Sequence, residues 1–185
     1  MSEVCMILAV GPKNDEGKHL IGIGNKLAWH SKKDLEFFKQ TTNTYPCLFG
    51  SATFFGLPKY PLPNRVNVVL DISYPKTYDF INLEYGKGFA LVANSLEKAI
   101  RAMSNYDKIF ICGGASIYKY ALEKDLVDRI YVTFVDSDDK IEGDVYLDIE
   151  NFDEMLEEKW KCISKRDEVE EKSNLNLSFN EFIKK

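Results

Sequence analysis

One stretch carries the residue types that do chemistry: IGIGNKLAWHSKKDLEFFK, residues 21–39. A glycine-punctuated loop passes Trp29 and enters a helix with a single acid, Asp34, on its apolar side. Ser31 is a good N-cap, which places Lys32, Lys33 and Asp34 in the first turn. Asp34 and Phe38 are four apart and Leu35 and Phe38 three apart, so these side chains are neighbours on the helix surface. A carboxylate beside Leu and Phe, facing the body of the protein, costs free energy unless it has a partner or a function. Ser31-Lys-Lys-Asp34 also fits a capping box, in which the acid only reaches back to the cap backbone. The two readings differ in proton affinity. A helix N-terminus stabilises the charged form by ~0.3–1 kcal/mol, whereas full desolvation raises a carboxyl by ~3–5 pK units. A buried Asp34 therefore has a raised pKa.

Further along, KIFIC is followed by Gly113 and Gly114 and then by a helix. Two glycines let backbone approach a ligand, and the helix N-terminus offers free N–H groups to a phosphate, with Ser116 adding a hydroxyl. An ordinary tight turn has the same composition, and the spacing is not the dinucleotide G-x-G-x-x-G. Gly22 and Gly24 flank Ile23 ahead of Trp29, either as a loop that closes over a site or as a plain turn. Arg65 follows a proline-rich segment. Its type suits a bidentate grip on a carboxylate, although a solvated arginine is the usual case. Thr133, inside a strand, is a candidate donor to a buried acid, and a β-branched strand residue needs no other reason. Cys112 reads as packing.

The elements that position these residues alternate. Val4–Val10, Tyr45–Phe49, Arg65–Leu70, Phe89–Ala93, Lys108–Cys112 and Arg129–Val135 read as strands. Helices are expected from Ser31 to about Gln40, from Gly50 to Gly56, after Ser95 and over Ala115–Lys124. Prolines 58, 61 and 63 keep Leu57–Asn64 irregular. Gly11–His19 is a polar, turn-rich connection, and Asp136–Gly143 an acidic loop. The last two strands, Lys159–Ser164 and Leu175–Ile183, form a hairpin around a charged connection. The fold class is α/β: a single domain over residues 1–185. Its central twisted sheet is mostly parallel, with an antiparallel C-terminal strand, and about four helices flank it. Such sheets bind ligands at the carboxyl ends of their strands.

Composition narrows the function. The 185 residues are 45 % hydrophobic and carry a net charge of −5, with no basic stripe for nucleic acid. The apolar run Val4–Val10 is too short for a membrane span and lacks the basic start of a signal peptide. Cys5, Cys47, Cys112 and Cys162 are scattered without C-x-x-C, and only two histidines are present. That excludes an evident zinc site and fits a reduced, cytoplasmic setting.

The order of these features resembles the dihydrofolate reductase family across nearly the whole chain. Ile7, Leu8 and Ala9 look like its pterin-lining strand, and IGIGNKLAW like its active-site loop. Trp29 with Asp34, Leu35 and Phe38 looks like its catalytic helix. Gly50-x-x-Thr53-Phe54 and Pro61-Leu62-Pro63-x-Arg65 look like its cofactor helix and tail-binding arginine. Ile111-Cys112-Gly113-Gly114-Ala115-Ser116-Ile117-Tyr118 looks like its cis Gly-Gly turn, and Tyr131-Val132-Thr133 and Glu142-Gly143-Asp144 like later signatures.

The resemblance implies NADPH-dependent reduction of dihydrofolate by a monomer, with no metal. Asp34, Trp29 and Thr133 would be catalytic. Ile7, Leu8, Ala9, Leu35, Phe38, Leu57, Leu62, Arg65, Cys112 and Tyr118 would join Asp34 and Thr133 around the substrate. The cofactor would lie along Ala9, Ile21, Gly22, Gly50, Ser51, Ala52, Thr53, Leu70, Asp71, Ile72 and Gly113 through Tyr118. Ala28 stands where the family usually has proline before the tryptophan. Ser51, Ala52, Asp71 and Ile72 stand where it usually binds the cofactor's 2′-phosphate with basic and hydroxyl residues. NADH is therefore admitted as well, with Lys76 or Lys59 as possible compensation. A pyrimidine reductase of riboflavin synthesis should lack the Trp29–Asp34–Phe38 run and the Pro-Leu-Pro-x-Arg segment. A catalytically idle relative should lack Asp34.

Overall fold

The computed structural model describes residues 1–77, 79–82 and 88–185. In chain order the strands are β1 (Glu3–Val10), β2 (Leu20–Gly22), β3 (Cys47–Gly50), β4 (Asn67–Leu70), β5 (Asp79–Asn82), β6 (Phe89–Ala93), β7 (Lys108–Ile111), β8 (Arg129–Asp136), β9 (Val145–Tyr146), β10 (Trp160–Glu170) and β11 (Leu175–Lys184). The helices are α1 (Lys32–Thr42), α2 (Ser51–Gly56), α3 (Leu96–Ala102), α4 (Ala115–Glu123) and α5 (Phe152–Lys159). Nine strands form one sheet in the order β10-β11-β8-β1-β7-β3-β4-β6-β5, and β2 pairs with β9 apart from it. The six strands from β8 to β6 run parallel. β11 and β10 close one edge antiparallel, and β5 closes the other.

Period-two alternation in β1 divides the core. Val4, Met6, Leu8 and Val10 face the layer that contains Leu96 and Ala99 of α3, Tyr118 and Ala121 of α4, and Phe152 and Leu156 of α5. Cys5 and Ile7 face the other layer, with Phe37 and Phe38 of α1 and Phe54 of α2. The chain moves outward from β1 through β3, β4 and β6, then returns to insert β7 between β3 and β1. The carboxyl ends of β1, β7 and β3 thus meet beside the N-termini of three helices, the arrangement that forms ligand crevices in open α/β sheets.

Among the described residues there are five α-helices, where the sequence marks about four. α5 lies in the segment FDEMLEEK, where only Phe152 and Leu156 are fully buried, so its apolar stripe is narrow. The charged residues Lys165–Glu170 belong to β10, and the turn is only Glu171–Asn174. β10 is an edge strand exposed along most of its length, and its charge density is what protects such an edge from pairing with other chains. Finally, β3 and β4 begin at Cys47 and Asn67, two residues later than expected. Pro46 has no N–H for the ladder, and Asn64 takes a left-handed φ of 57°.

Candidate active site

Asp34 lies in the first turn of α1. Ser31 is extended, and its hydroxyl accepts from the Asp34 N–H at 3.0 Å, which satisfies one of the free donors of the helix start. The carboxyl does not reach back to complete a capping box. It is 7 % exposed and lies by the Thr133 hydroxyl, itself on a residue 2 % exposed on β8. The register Ala9↔Thr133 puts this residue beside the carboxyl end of β1. Burial pushes the Asp34 carboxyl up to about 6; the Thr133 hydroxyl opposes that shift and the nearby Glu170 charge adds to it. Desolvation is the largest contribution, in the direction that the sequence suggests for a buried Asp34.

Around Asp34 the apolar wall is continuous. Ile7, Cys112, Phe38, Leu57 and Leu62 belong to one hydrophobic cluster. Leu35, 38 % exposed, stands at its rim. Ala9 and Trp29 pack with Phe37 and Phe179 on the β11 side. A Cβ on Gly11 would lie 2.9 Å from the Trp29 ring, so this glycine lets the tryptophan lie against the end of β1. The Trp29 indole N–H is buried without a partner, a donor held ready for an oxygen acceptor. On the far side the Tyr118 hydroxyl donates to the Ile7 carbonyl at 2.7 Å.

Arg65 is fixed from two directions. Its Nε donates to the Pro63 carbonyl and its Nη1 to the Thr42 hydroxyl, both at 2.9 Å, which suspends the guanidinium over the end of α1. Asn67, buried on β4, accepts from the Leu62 N–H and donates to the Leu62 and Arg65 carbonyls. One amide therefore holds the whole Pro61–Arg65 segment, which runs through a cis Tyr60–Pro61 peptide.

The Gly113–Gly114 peptide is cis, as the resemblance implies. Gly113 has φ 115°, and a Cβ on Gly114 would sit 2.7 Å from the Thr53 hydroxyl. The Gly50 N–H donates to the Gly113 carbonyl at 2.7 Å, so the starts of α2 and α4 are tied together. Gly50 and Gly114 provide no side-chain cap, which leaves the first N–H groups of α4 open to an anion. Ser51, Ala52 and Ser116 are exposed here, and Thr53 and Ile117 half-buried. The loop after Ile21 is docked rather than free. Asp144 accepts from the Gly24 N–H at 2.8 Å and donates its own N–H to the Gly22 carbonyl. Gly56 leaves room for the Asn25 carbonyl, which a Cβ would meet at 1.8 Å.

The dihydrofolate reductase family model matches residues 5–184. The chain belongs to the dihydrofolate reductase family. The dihydrofolate reductase of Buchnera aphidicola is 32 % identical over 161 residues, covering 86 % of this chain and 89 % of that one. The type 9 enzyme of Escherichia coli is 30 % identical over 164 residues, covering 89 % and 84 %. The Enterococcus faecalis dihydrofolate reductase, solved with NADP(H) and RAB-propyl, superimposes with a TM-score of 0.75. The two share 26 % identity, and the match covers 98 % of this chain and 96 % of that one.

Within this family fold, the departures at the 2′-phosphate positions lie past the ends of β3 and β4. The register Gly50↔Leu70 sets Ser51 and Asp71 side by side past the ends of β3 and β4. Asp71 Oδ1 accepts from the Ser73 N–H at 2.9 Å and the Ser73 hydroxyl at 2.6 Å, so the carboxylate is committed to a turn, and these bonds hold its pKa below the usual value. Ile72 is 90 % exposed beside it. The sequence did not single out Asn67, Ser31 as part of the site, or Glu170. Asn67 was a polar residue in an apolar strand, RVNVVL, and that was the available signal.

Proposed function

We propose that the protein reduces 7,8-dihydrofolate to 5,6,7,8-tetrahydrofolate with NADPH, and that the site residues act as follows. Asp34 binds the amidine edge of the pterin and holds the proton that the reaction delivers to N5. Thr133 keeps that carboxyl oriented, and Trp29 offers its unpartnered indole N–H toward the same end of the ring. Ile7, Leu8, Ala9, Phe38, Leu57, Leu62 and Cys112 enclose the rings and exclude water, and Leu35 covers the rim. Arg65 receives the α-carboxylate of the glutamate tail on the N–H groups that its two internal bonds leave free.

The glycine turn fits a dinucleotide. A Cβ on Gly114 would fill the space that backbone needs to approach a ligand, and α4 begins without a side-chain cap. Gly113 to Tyr118 and Gly50 to Thr53 would hold the phosphates, Ala9, Ile21 and Gly22 the nicotinamide, and Leu70, Asp71 and Ile72 the adenosine end. Bound NADPH supplies the hydride for C6. The protein contributes alignment, exclusion of water and one tuned acid. We further propose a cytoplasmic monomer built as one domain over residues 1–185. All four cysteines are free thiols, consistent with a reducing compartment.

The observation that carries this reading is the carboxyl of Asp34, buried beside Thr133 next to an apolar cluster and raised to about 6. Steady-state reduction of dihydrofolate tests it, with NADPH against NADH, on wild type and Asp34→Asn. The expected result is turnover with NADPH that falls by ~10²–10⁴-fold in the variant. Folded wild type that turns over with neither cofactor refutes it. Size-exclusion chromatography tests the monomer against the chain mass of 21.2 kDa.

A further inference from the structure

Glu170 is the last residue of β10, 138 residues from Lys32 in sequence, yet its carboxylate sits on the first turn of α1. Oε1 accepts from the Lys32 N–H at 2.8 Å and the Lys33 N–H at 3.1 Å. Glu170 is 8 % exposed, and its Oε2 is buried without a partner. A glutamate this deep at a helix start is more than a surface ion pair.

We propose that Glu170 is a positioning residue for the reduction: it clamps the start of α1 and places a fixed negative charge beside Asp34, so that Asp34 keeps its proton. The proposal rests on the dihydrofolate reductase reading above. Its physics is a competition. A bare helix N-terminus would favour ionised Asp34 by ~0.2–0.7 pK units. Two of the N–H groups that create that field end on Glu170, and an ionised Glu170 further penalises a second anion nearby. Burial acts on Asp34 in the same direction as Glu170, and the Thr133 hydroxyl on β8 acts against both. Tyr118 on α4 stays neutral, since burial above all raises its pKa well above the usual value. Lys33 points away into an ion pair with Glu168 at 2.9 Å. Burial raises the Glu170 carboxyl, but the N–H groups of the first turn of α1 outweigh it and hold its pKa below the usual carboxylate value. Glu170 therefore stays charged through the range in which Asp34 titrates.

The test is a carboxyl ¹³C NMR titration of Asp34 in full-length wild type, Glu170→Gln and Glu170→Asp, run beside the pH profile of dihydrofolate reduction. Gln keeps the acceptor for α1 and removes the charge. The expected result is an Asp34 midpoint lowered by about one pH unit in Glu170→Gln. Reduction should then be about tenfold slower above pH 7 and unchanged on the low-pH plateau, and Glu170→Asp should restore most of it. An unmoved midpoint overturns the proposal, and a rate lowered equally at every pH would leave Glu170 as a clamp only. If Glu170→Gln does not fold, wild type still decides: the Glu170 carbon must show a step at the Asp34 midpoint, and its absence overturns the coupling. The NMR result stands even if wild type fails to reduce dihydrofolate, so failure of this inference and failure of the proposed reaction are separable.

Discussion

The side-chain amide of Asn67 closes two hydrogen bonds on the backbone of Leu62, accepting from its N–H and donating to its carbonyl, each at 2.9 Å. A third, at 3.1 Å, reaches the Arg65 carbonyl. Three prolines make the segment around Leu62 incapable of regular pairing, so one buried side chain stands in for a strand partner. Asn67→Leu leaves these backbone groups unpaired in the interior, and each costs ~1–3 kcal/mol. The expected loss of stability is about 2–4 kcal/mol by urea denaturation. Arg65 and Leu62 then lose their anchor, so KM for dihydrofolate should rise several-fold while kcat changes little. Unchanged stability would show that water replaces the amide without cost.

Arg65 itself is held by Pro63 and Thr42, which orders the side chain before any ligand arrives. Preorganisation of this kind lowers the entropy lost on binding. A charged hydrogen bond contributes ~1.5–3 kcal/mol, which corresponds to ~10–100-fold in affinity. Arg65→Leu should raise KM for dihydrofolate by that factor and leave the reduction of a dihydropterin without a glutamate tail unaffected. Equal effects on both substrates would place Arg65 outside the substrate site.

The sequence makes the parallel core legible because each strand there is a short apolar run between turn signals, and it marks the candidate site because Trp29, Asp34, Phe38, Arg65 and the glycine pair keep a fixed order. The unread parts have a shared cause. β2 and β9 are three and two residues long and acquire meaning only when Gly143 lets the Gly22 carbonyl approach to 2.5 Å of where its Cβ would be. β10 is charged because it is an edge, and charge reads as loop. Glu170 and Asn67 act on segments remote or irregular in sequence, and no periodicity reports a contact of that type.

Asp34 also makes the free enzyme less stable than it could be. Its carboxyl is raised to about 6 in the fold from an unperturbed 3.8. The folded state thus binds more protons than the unfolded chain between these values, and stability falls as pH rises from about 4 to about 6. The full penalty, ~2–3 kcal/mol by linkage, is present above pH 6 and absent below about 4. Asp34→Asn keeps a partner for Thr133 and cannot ionise. It should therefore raise the melting temperature of the ligand-free protein at pH 7–8 and not at pH 4, while activity is lost. With Asp34 in its proposed role, kcat/KM for dihydrofolate should also decline above a midpoint near 6, as the carboxyl loses its proton. A stability gain independent of pH would assign the effect to something other than the buried charge.

Cofactor choice turns on Asp71. Its bonds to Ser73 keep the carboxylate ionised at neutral pH and fix it beside Ser51 at the carboxyl edge of β4. A fixed anion there is unfavourable to a 2′-phosphate and acceptable to a ribose hydroxyl. The wild type should accordingly favour NADPH over NADH by less than ~100-fold, the margin that one missing charged hydrogen bond removes. Asp71→Ser deletes the repulsion and supplies a hydroxyl. It should raise kcat/KM for NADPH by about tenfold and change the value for NADH by less than about twofold. The measurement is the ratio of the two specificity constants, repeated at high salt, where screening should shrink the gain if the effect is electrostatic. A ratio that Asp71→Ser leaves untouched would move the discrimination to other groups on that edge, such as Lys76, which lies 3.7 Å from Asp79.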